Sequence, residues 1–307
     1  MSLEGQKRRA GMAMILPWVI GLSLFTVYPF FASLYYSFHD WSVFSTHPDY
    51  VGLGNYAELL GDPRFLMALK QTLFYAAVSI PAGVVLSLAL AFLLNAPVRG
   101  QFLYRAVYYL PNLIPAVASA LLWQWIFNAD AGLLNNALQP FYNLYNGLFG
   151  LHGVAAARPP NWLGSPTWAM WALILIAQWG IGQAAVIYLA KIQDVPQELL
   201  ESAELDGAGA WNKIRHVILP MISPIILFNI IMSIIGTFQI FTLPYLMTDG
   251  GPDRATTFVP QFIYDNAFSY YRMGYACAAA FLLFLVILGI TGVAYWVSNR
   301  WVYYGGR

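Results

Sequence analysis

The sequence predicts an all-α polytopic membrane protein with six transmembrane helices and both termini in the cytoplasm. Three observations predict it. Of 307 residues, 59% are hydrophobic and only 9% charged, where a soluble domain carries about 25% charged residues. The stretches 12–38, 72–94, 106–127, 168–189, 222–246 and 276–297 are apolar and contain no Asp, Glu, Lys or Arg; a helix of about 20 such residues crosses a hydrocarbon core. Third, an even number of spans puts Lys7, Arg8, Arg9, Arg99, Arg105, Lys191, Lys213, Arg215, Arg300 and Arg307 on the side of the termini. Only Arg64, Lys70, Arg158, Arg254 and Arg272 fall on the other. Basic residues mark the cytoplasmic side.

In chain order, residues 1–11 form a basic cytoplasmic tail and 12–38 the first span. A signal peptide has an apolar region of about 7–15 residues. This run is longer and continues through Tyr28, Pro29 and Tyr36, so it reads as an uncleaved helix. Residues 72–297 hold a five-helix core, and 298–307 a cytoplasmic tail. The external connections are 40–71, 128–167 and 248–275, rich in turn-forming Gly, Pro and Asn. In "ARPPNWLGSP", Pro159 and Pro160 enforce extended backbone, and Asn161 and Trp162 are expected at the membrane interface.

Several chemistries are absent from the sequence. Lys7, Lys70, Lys191 and Lys213 are never followed by Ser or Thr, so no Walker loop binds nucleotide here. His39, His47, His152 and His216 have no metal-ligand spacing, and no G-x-S-x-G elbow occurs. The chain is not expected to be an enzyme or to hold a cofactor or metal. A net charge of +1 offers no basis for nucleic-acid binding. The lone Cys277 reads as a packing residue. An ion-driven carrier usually keeps ionisable groups in its spans; these spans have none, although carbonyls and hydroxyls alone can bind sodium. An ion- or proton-coupled carrier and an intramembrane enzyme stand as alternatives.

One cytoplasmic segment is conspicuously polar. "ESAELDGAGAWNKIRHVILP", within the loop 198–220, carries Glu201, Glu204, Asp206, Lys213, Arg215 and His216 between apolar runs. Glu201 to Leu205 predict a first helix with Ala203 and Leu205 on its apolar edge. Gly207 and Gly209 permit a sharp turn and positive φ, with small Ala208 between them. Trp211, Ile214 and Val217 form a stripe on a second helix, and Pro220 starts the run into the fifth span. Such a knob fits a groove in another protein and passes its motion to the spans.

This segment resembles the EAA loop of permease subunits in ATP-binding-cassette importers. The family pattern is E-A-A, three residues, G, nine residues, an aliphatic residue, one more, then L-P. Here it reads Glu201-Ser202-Ala203, Gly207, Val217, Leu219 and Pro220, with Ser202 the one departure. "VGLGNYAELLGDPRFLMALKQTLFYA", "YLPNLIPAVASALLWQWIFNADAGLLN" and "MTDGGPDRATTFVPQFIYDNAFSYYRMGYACAAA" resemble further segments of carbohydrate-type permeases, so the likeness covers nearly the whole chain. It is identified as similar to the first-permease type of the maltose and glycerol-phosphate transporter relatives. The resemblance implies a type I ABC importer permease fold in a bacterial or archaeal plasma (inner) membrane. It implies a second permease subunit, two ATP-binding-cassette ATPase subunits that bind ATP and Mg, an external solute-binding protein, a sugar substrate and a lipid surround. It makes Glu201, Ser202, Ala203, Asp206, Gly207, Ala208, Trp211, Leu219 and Pro220 the ATPase-coupling residues.

The solute pathway is sought among polar and small residues sharing helix faces. Ser233, Gly236, Thr237 and Ile240 form one stripe on the fifth span. Ile176, Gly180 and Gln183 share a face on the fourth, and Asn112, Ala116 and Ser119 on the third, where Pro111 and Pro115 free carbonyls. Trp123, Trp179 and Phe238 are candidate aromatic platforms. Ser, Thr and Gly also serve plain helix packing, and the tryptophans serve as interfacial anchors; both readings stay open. With no cation in any span, the expected solute is a neutral sugar or oligosaccharide.

Overall fold

The computed structural model describes residues 3–303 except 46, 152 and 154–156, with side chains from Gly11 onward. His152, the side chains of Lys7, Arg8 and Arg9, and residues 304–307 with Arg307 lie outside the described residues. The fold is helical. In order come α1 (Leu3–Leu22), a π turn (Ser23–Val27), α2 (Tyr28–Tyr36), the hairpin strands β1 (His39–Asp40) and β2 (Asp49–Tyr50), α3 (Gly54–Gly61) and α4 (Pro63–Asn95). Then follow α5 (Gln101–Tyr109), a 3₁₀ turn (Leu110–Leu113), α6 (Ala116–Ile126), α7 (Leu133–Phe149), α8 (Pro166–Trp179), α9 (Gly182–Gln193), α10 (Gln197–Leu205) and α11 (Ala210–Lys213). A π turn (Ile214–Ile218) leads into α12 (Leu219–Phe238), α13 (Thr242–Thr248), α14 (Val259–Tyr264), a last π turn (Asp265–Ser269) and α15 (Met273–Ser298).

Among the described residues four helices are long and apolar enough to cross a membrane alone: Gly11–Tyr36, Pro63–Asn95, Ala210–Phe238 and Met273–Ser298. Two bent pairs complete six if each crosses as one span: Gln101–Leu113 with Ala116–Ile126, and Pro166–Trp179 with Gly182–Gln193. The expected third span, 106–127, is therefore not one straight helix. It turns by 100° at Ile114 and Pro115: Pro115 lacks an amide hydrogen and disfavours helical backbone at Ile114, whose ψ is 127°. The fourth bends by 42°. The second is longer than expected, since α4 has 33 residues, or about 50 Å. The fifth is displaced: it starts at Ala210, takes Pro220 into its interior through the π turn, and ends at Phe238, so 242–246 belong to the separate α13.

Two compact units divide the chain. In unit 1 (Met1–Leu66 with Phe262–Leu285), the β1–β2 hairpin is held by Asn55, whose Nδ2 donates to the Ser37 carbonyl (2.9 Å) and the His39 carbonyl (3.0 Å). The Gly274 amide donates to Trp41 O at 3.0 Å, and a Cβ at Gly274 would stand 1.9 Å from the His39 carbonyl oxygen. Arg272 pairs with Glu58 at 2.7 Å and lies over the Tyr275 ring. Asp62 accepts from the Arg64 amide (2.8 Å) and the Tyr275 hydroxyl (3.0 Å).

In unit 2 (Met67–Gln261 with Val286–Arg307), two apolar clusters form. One joins Tyr75, Phe127, Met170, Leu173 and Phe258; the other joins Leu90, Tyr188, Ile192, Ile222 and Ile226. The connection 128–167, expected as an external loop, contains the 17-residue α7. Trp162, expected at the membrane interface, is buried in the first cluster, because Asn135 Oδ1 accepts from its indole N–H at 2.7 Å. With that donor satisfied, the ring packs on Phe127.

One expectation concerns Asp62. Burial alone would raise its carboxyl. The Arg64 amide, the Tyr275 hydroxyl and the Arg64 guanidinium outweigh that and hold it below its ordinary value of 3.8. Its folded pKa is depressed, so its contribution is present above pH 3.8 and is lost as pH falls through the folded value. Asp62→Asn should melt below wild type in detergent at neutral pH. The gap should close as pH falls through the depressed folded value, and thermal scans across pH check it.

Candidate functional site

The knob is built by local chemistry. Ser202 Oγ donates to the Glu198 carbonyl within α10 (2.7 Å). The Gly207 amide closes on Glu204 O and the Ala208 amide on Ala203 O, both at 2.9 Å. Gly207 has φ +78°, the left-handed conformation that ends a helix without a Cβ penalty. Gly209 then runs extended (ψ 170°), and its carbonyl accepts the first amide bond of the next helix from Lys213 at 3.1 Å. Lys213 also salt-bridges Glu204 across the turn. Glu201, Ser202, Asp206 and Gly207 are exposed, as are Leu205 at 91% and Trp211 at 68%; Ala203 and Ala208 are half-buried. Such apolar tips on a polar hairpin suit a protein groove.

Of the expected stripe, Val217 packs on the second apolar cluster, while Trp211 points to the exposed tip. Leu219 packs on that same cluster. Leu219 and Pro220 thus lie within a continuous helix and not at the start of one. The knob's second arm and the fifth span are one 29-residue helix.

A cavity of about 510 Å³ opens between α4, the α8–α9 pair and α12. On α4 and on the bent pair it lies between the two apolar clusters. Gly180, Gln183, Ser233 and Thr237 line it, as expected from the sequence. Ile176, Asn112, Ala116, Gly236 and Ile240 do not. Ile176 is buried in the first cluster. Its expected face with Gly180 and Gln183 assumed one straight helix, and the 42° bend breaks that phase. Ile240 lies beyond the end of α12, against the first cluster. The aromatic trio stays out of the lining too: Trp123 packs edge-to-face with Trp179 at 5.5 Å, and Phe238 is buried.

Asn112 has a different role. With its amide turned so that both atoms are satisfied, Nδ2 donates to the Gly180 carbonyl (2.9 Å) and Oδ1 accepts from the Gln183 amide (3.3 Å). The breaks of the two bent pairs are thereby tied together. At the same joint Gly182 abuts Tyr108, where a Cβ would stand 1.9 Å from the Tyr108 carbonyl oxygen.

The cavity also contains residues the sequence reading missed: Ser79, Gly83 and Ser87 on α4, Gln178 on α8, and Asn229 on α12. The i, i+4, i+8 spacing of the first three was a readable signal. Ser79 and Ser87 donate back to their own helix, at 2.7 Å to Tyr75 O and 2.6 Å to Gly83 O. Gln178 donates to the Ser79 carbonyl at 3.4 Å, and its Oε1 is buried without a partner among the described residues. Among the described residues no Asp, Glu, Lys, Arg or His lines the cavity, which offers amides, hydroxyls, aliphatic surface and the rings of Phe228 and Tyr188.

Comparison with known proteins follows this geometry. The family model described as binding-protein-dependent transport system inner membrane component matches residues 53–303. The chain is 35% identical to the probable ABC transporter permease protein YesP of Bacillus subtilis (strain 168), over 97% of this chain and 93% of that one. It is 31% identical to the sulfoquinovosyl glycerol transport system permease protein SmoG of Agrobacterium fabrum (strain C58 / ATCC 33970), over 93% and 89%. Two crystal structures of bacterial alginate transporters share its fold, each over 96% of both chains. One, of an importer of the acidic polysaccharide alginate, has a TM-score of 0.80 at 24% identity. The other, in complex with alginate pentasaccharide-bound periplasmic protein, has 0.79 at 25%.

The joint makes a prediction. Gly182→Ala forces a methyl against backbone that cannot rotate away, and overpacking of this kind costs about 1–3 kcal/mol. The purified variant should melt several degrees below wild type. Gly236→Ala, at a glycine with open space around it, should match wild type in the same scan.

Proposed function

This chain belongs to the family of binding-protein-dependent transport system inner membrane components, and from that premise we propose how it works. It is a multi-pass permease subunit of an ABC importer and not itself an enzyme. In the proposed arrangement it forms the pathway with a second permease, and its 198–220 knob docks into one of two ATPase subunits that hold ATP and Mg. An external solute-binding protein delivers substrate, and both termini face the cytoplasm. The substrate is a neutral sugar or oligosaccharide.

The observation that carries the substrate reading is the lining of the cavity: neutral amides and hydroxyls with no acidic or basic side chain among the described residues. An anionic solute in such a place wants Arg, Lys or a helix N-terminus. The fold itself does not set substrate charge, since an importer of the acidic polysaccharide alginate shares it. The same lining disfavours an ion-coupled carrier, which needs a relay. The continuous helix from Ala210 to Phe238 supports the coupling reading: a push on the knob moves α12, which carries Asn229, Ser233 and Thr237 in the cavity wall.

Proteoliposomes with the partner subunits test this. ATP-driven uptake of labelled neutral oligosaccharide should resist competition by sugar phosphates; selective uptake of the phosphate would overturn the neutral reading. Gln183→Leu removes one donor–acceptor group, worth about 0.5–1.5 kcal/mol, so uptake should fall by roughly 2- to 12-fold with assembly and basal ATPase intact. At Gly207 no atom lies within 4 Å of a built Cβ, so Gly207→Val acts through backbone strain alone, about 1–3 kcal/mol. ATPase-subunit retention should drop, and Gly207→Asn, which tolerates positive φ better, should retain more. Equal retention by both variants would sink the docking role.

A further inference from the structure

The helix between the third and fourth spans has no part in the pathway or the knob. The 17 residues of α7 contain no Asp, Glu, Lys, Arg or His. They sort onto three faces by helical angle. Leu134 and Leu138 face the protein and pack on the cluster that holds Phe127 and Met170. Asn136, Gln139 and Asn143 form an exposed amide face. The third face is apolar and uncovered: Leu133, Ala137, Phe141, Leu144 and Leu148, at i, i+4, i+8, i+11 and i+15. Phe141 is 70% exposed, Leu144 63% and Leu148 74%.

The helix is held in this rotation. Near its start Asn135 Nδ2 donates to Ala129 O (2.9 Å) and Pro160 O (3.2 Å), and its Oδ1 accepts from Trp162. Near its end Asn146 makes a two-way clamp with the Ala157 backbone, 2.9 Å in each direction. Gly150, at φ +62°, ends it. The apolar face is thus aimed by the protein and not left to rotate.

We propose that α7 is an interfacial helix, its apolar face seated in the lipid leaflet on the side of the membrane opposite the knob. Its level argues for lipid. It begins seven residues after the last of α6 and packs on the span ends, where Trp125, Trp168 and Trp171 are also exposed. Tryptophans at span ends mark the membrane–water boundary. Its composition argues the same way, with an apolar face rich in Leu and Phe and a polar face of amides on a helix with high amphipathicity. Seated so, α7 anchors the junction of the two bent pairs, so that they move about a fixed edge.

Site-directed spin labelling of the full chain tests this, in nanodiscs of phosphatidylethanolamine and phosphatidylglycerol. Cys277→Ala removes the native thiol, and labels go singly at Leu144→Cys, Leu148→Cys and Asn143→Cys. Labels at 144 and 148 should collide severalfold more with oxygen than with a water-soluble nickel chelate, and the label at 143 should show the reverse. Two positions on the apolar face keep the test readable if one variant fails to fold. Nickel access at 144 and 148 equal to that at 143 would overturn the proposal and leave a water-exposed face. Exclusion of both reagents from 144 and 148 would overturn it equally, since it would mean that protein covers the face.

Discussion

In hydrocarbon there is no water to satisfy a free amide or carbonyl, so any break in a spanning helix must be closed by the protein itself. Within unit 2 much else follows from this constraint. The third span breaks at Pro115 and the fourth at Gly180, and each leaves backbone groups without helical partners. The structure places the two breaks together. The Asn112 amide bridges them to Gly180 and Gln183, and Gly182 lets the Tyr108 backbone come into contact. A residue that resembled a substrate contact in the sequence is instead the closure of a joint.

That joint positions the cavity. Because the α8–α9 pair bends at 180–181, Gln178, Gly180 and Gln183 all reach one space with Ser79 and Ser233, which no single straight face would allow. The apolar clusters on either side of the cavity make close-packed walls. Polar groups between them are worth more to a solute than in water, because the alternative partners are few. The side-chain Oε1 of Gln178, buried and unpartnered among the described residues, is the kind of group a hydroxyl would satisfy.

The second arm of the knob and the fifth span form one continuous helix. The π turn at 214–218 absorbs Pro220 without ending the helix, so the polar arm and the membrane arm turn together. An exposed Trp211 at one end and Ser233 and Thr237 at the other share one helix. This geometry gives ATP-driven motion a direct route to the cavity wall, as the proposed coupling requires.

Most of the architecture was legible in the sequence, because water and hydrocarbon sort residues by burial with little regard to neighbours. The apolar runs marked every span, and the Glu201–Pro220 pattern marked the knob and its left-handed glycine. Of the pathway residues named from the sequence, Gly180, Gln183, Ser233 and Thr237 line the cavity, whereas Asn112 closes the joint instead. The rest depended on contacts between segments distant in sequence. Ile176 left the cavity because the bend at Gly180 rotates the helix on either side of it. Trp162 left the membrane interface because Asn135 offers its indole a buried partner. Loop 128–167 concealed α7, whose apolar residues are spaced for a helix but too few to span. Sequence alone determined which segments are apolar enough to enter a membrane and which polar segment turns on a left-handed glycine, since both follow from transfer energies and local turn chemistry. Only the tertiary structure decided where the spans break and which polar groups face the cavity, because a broken helix is stable only where another segment supplies the missing hydrogen bonds.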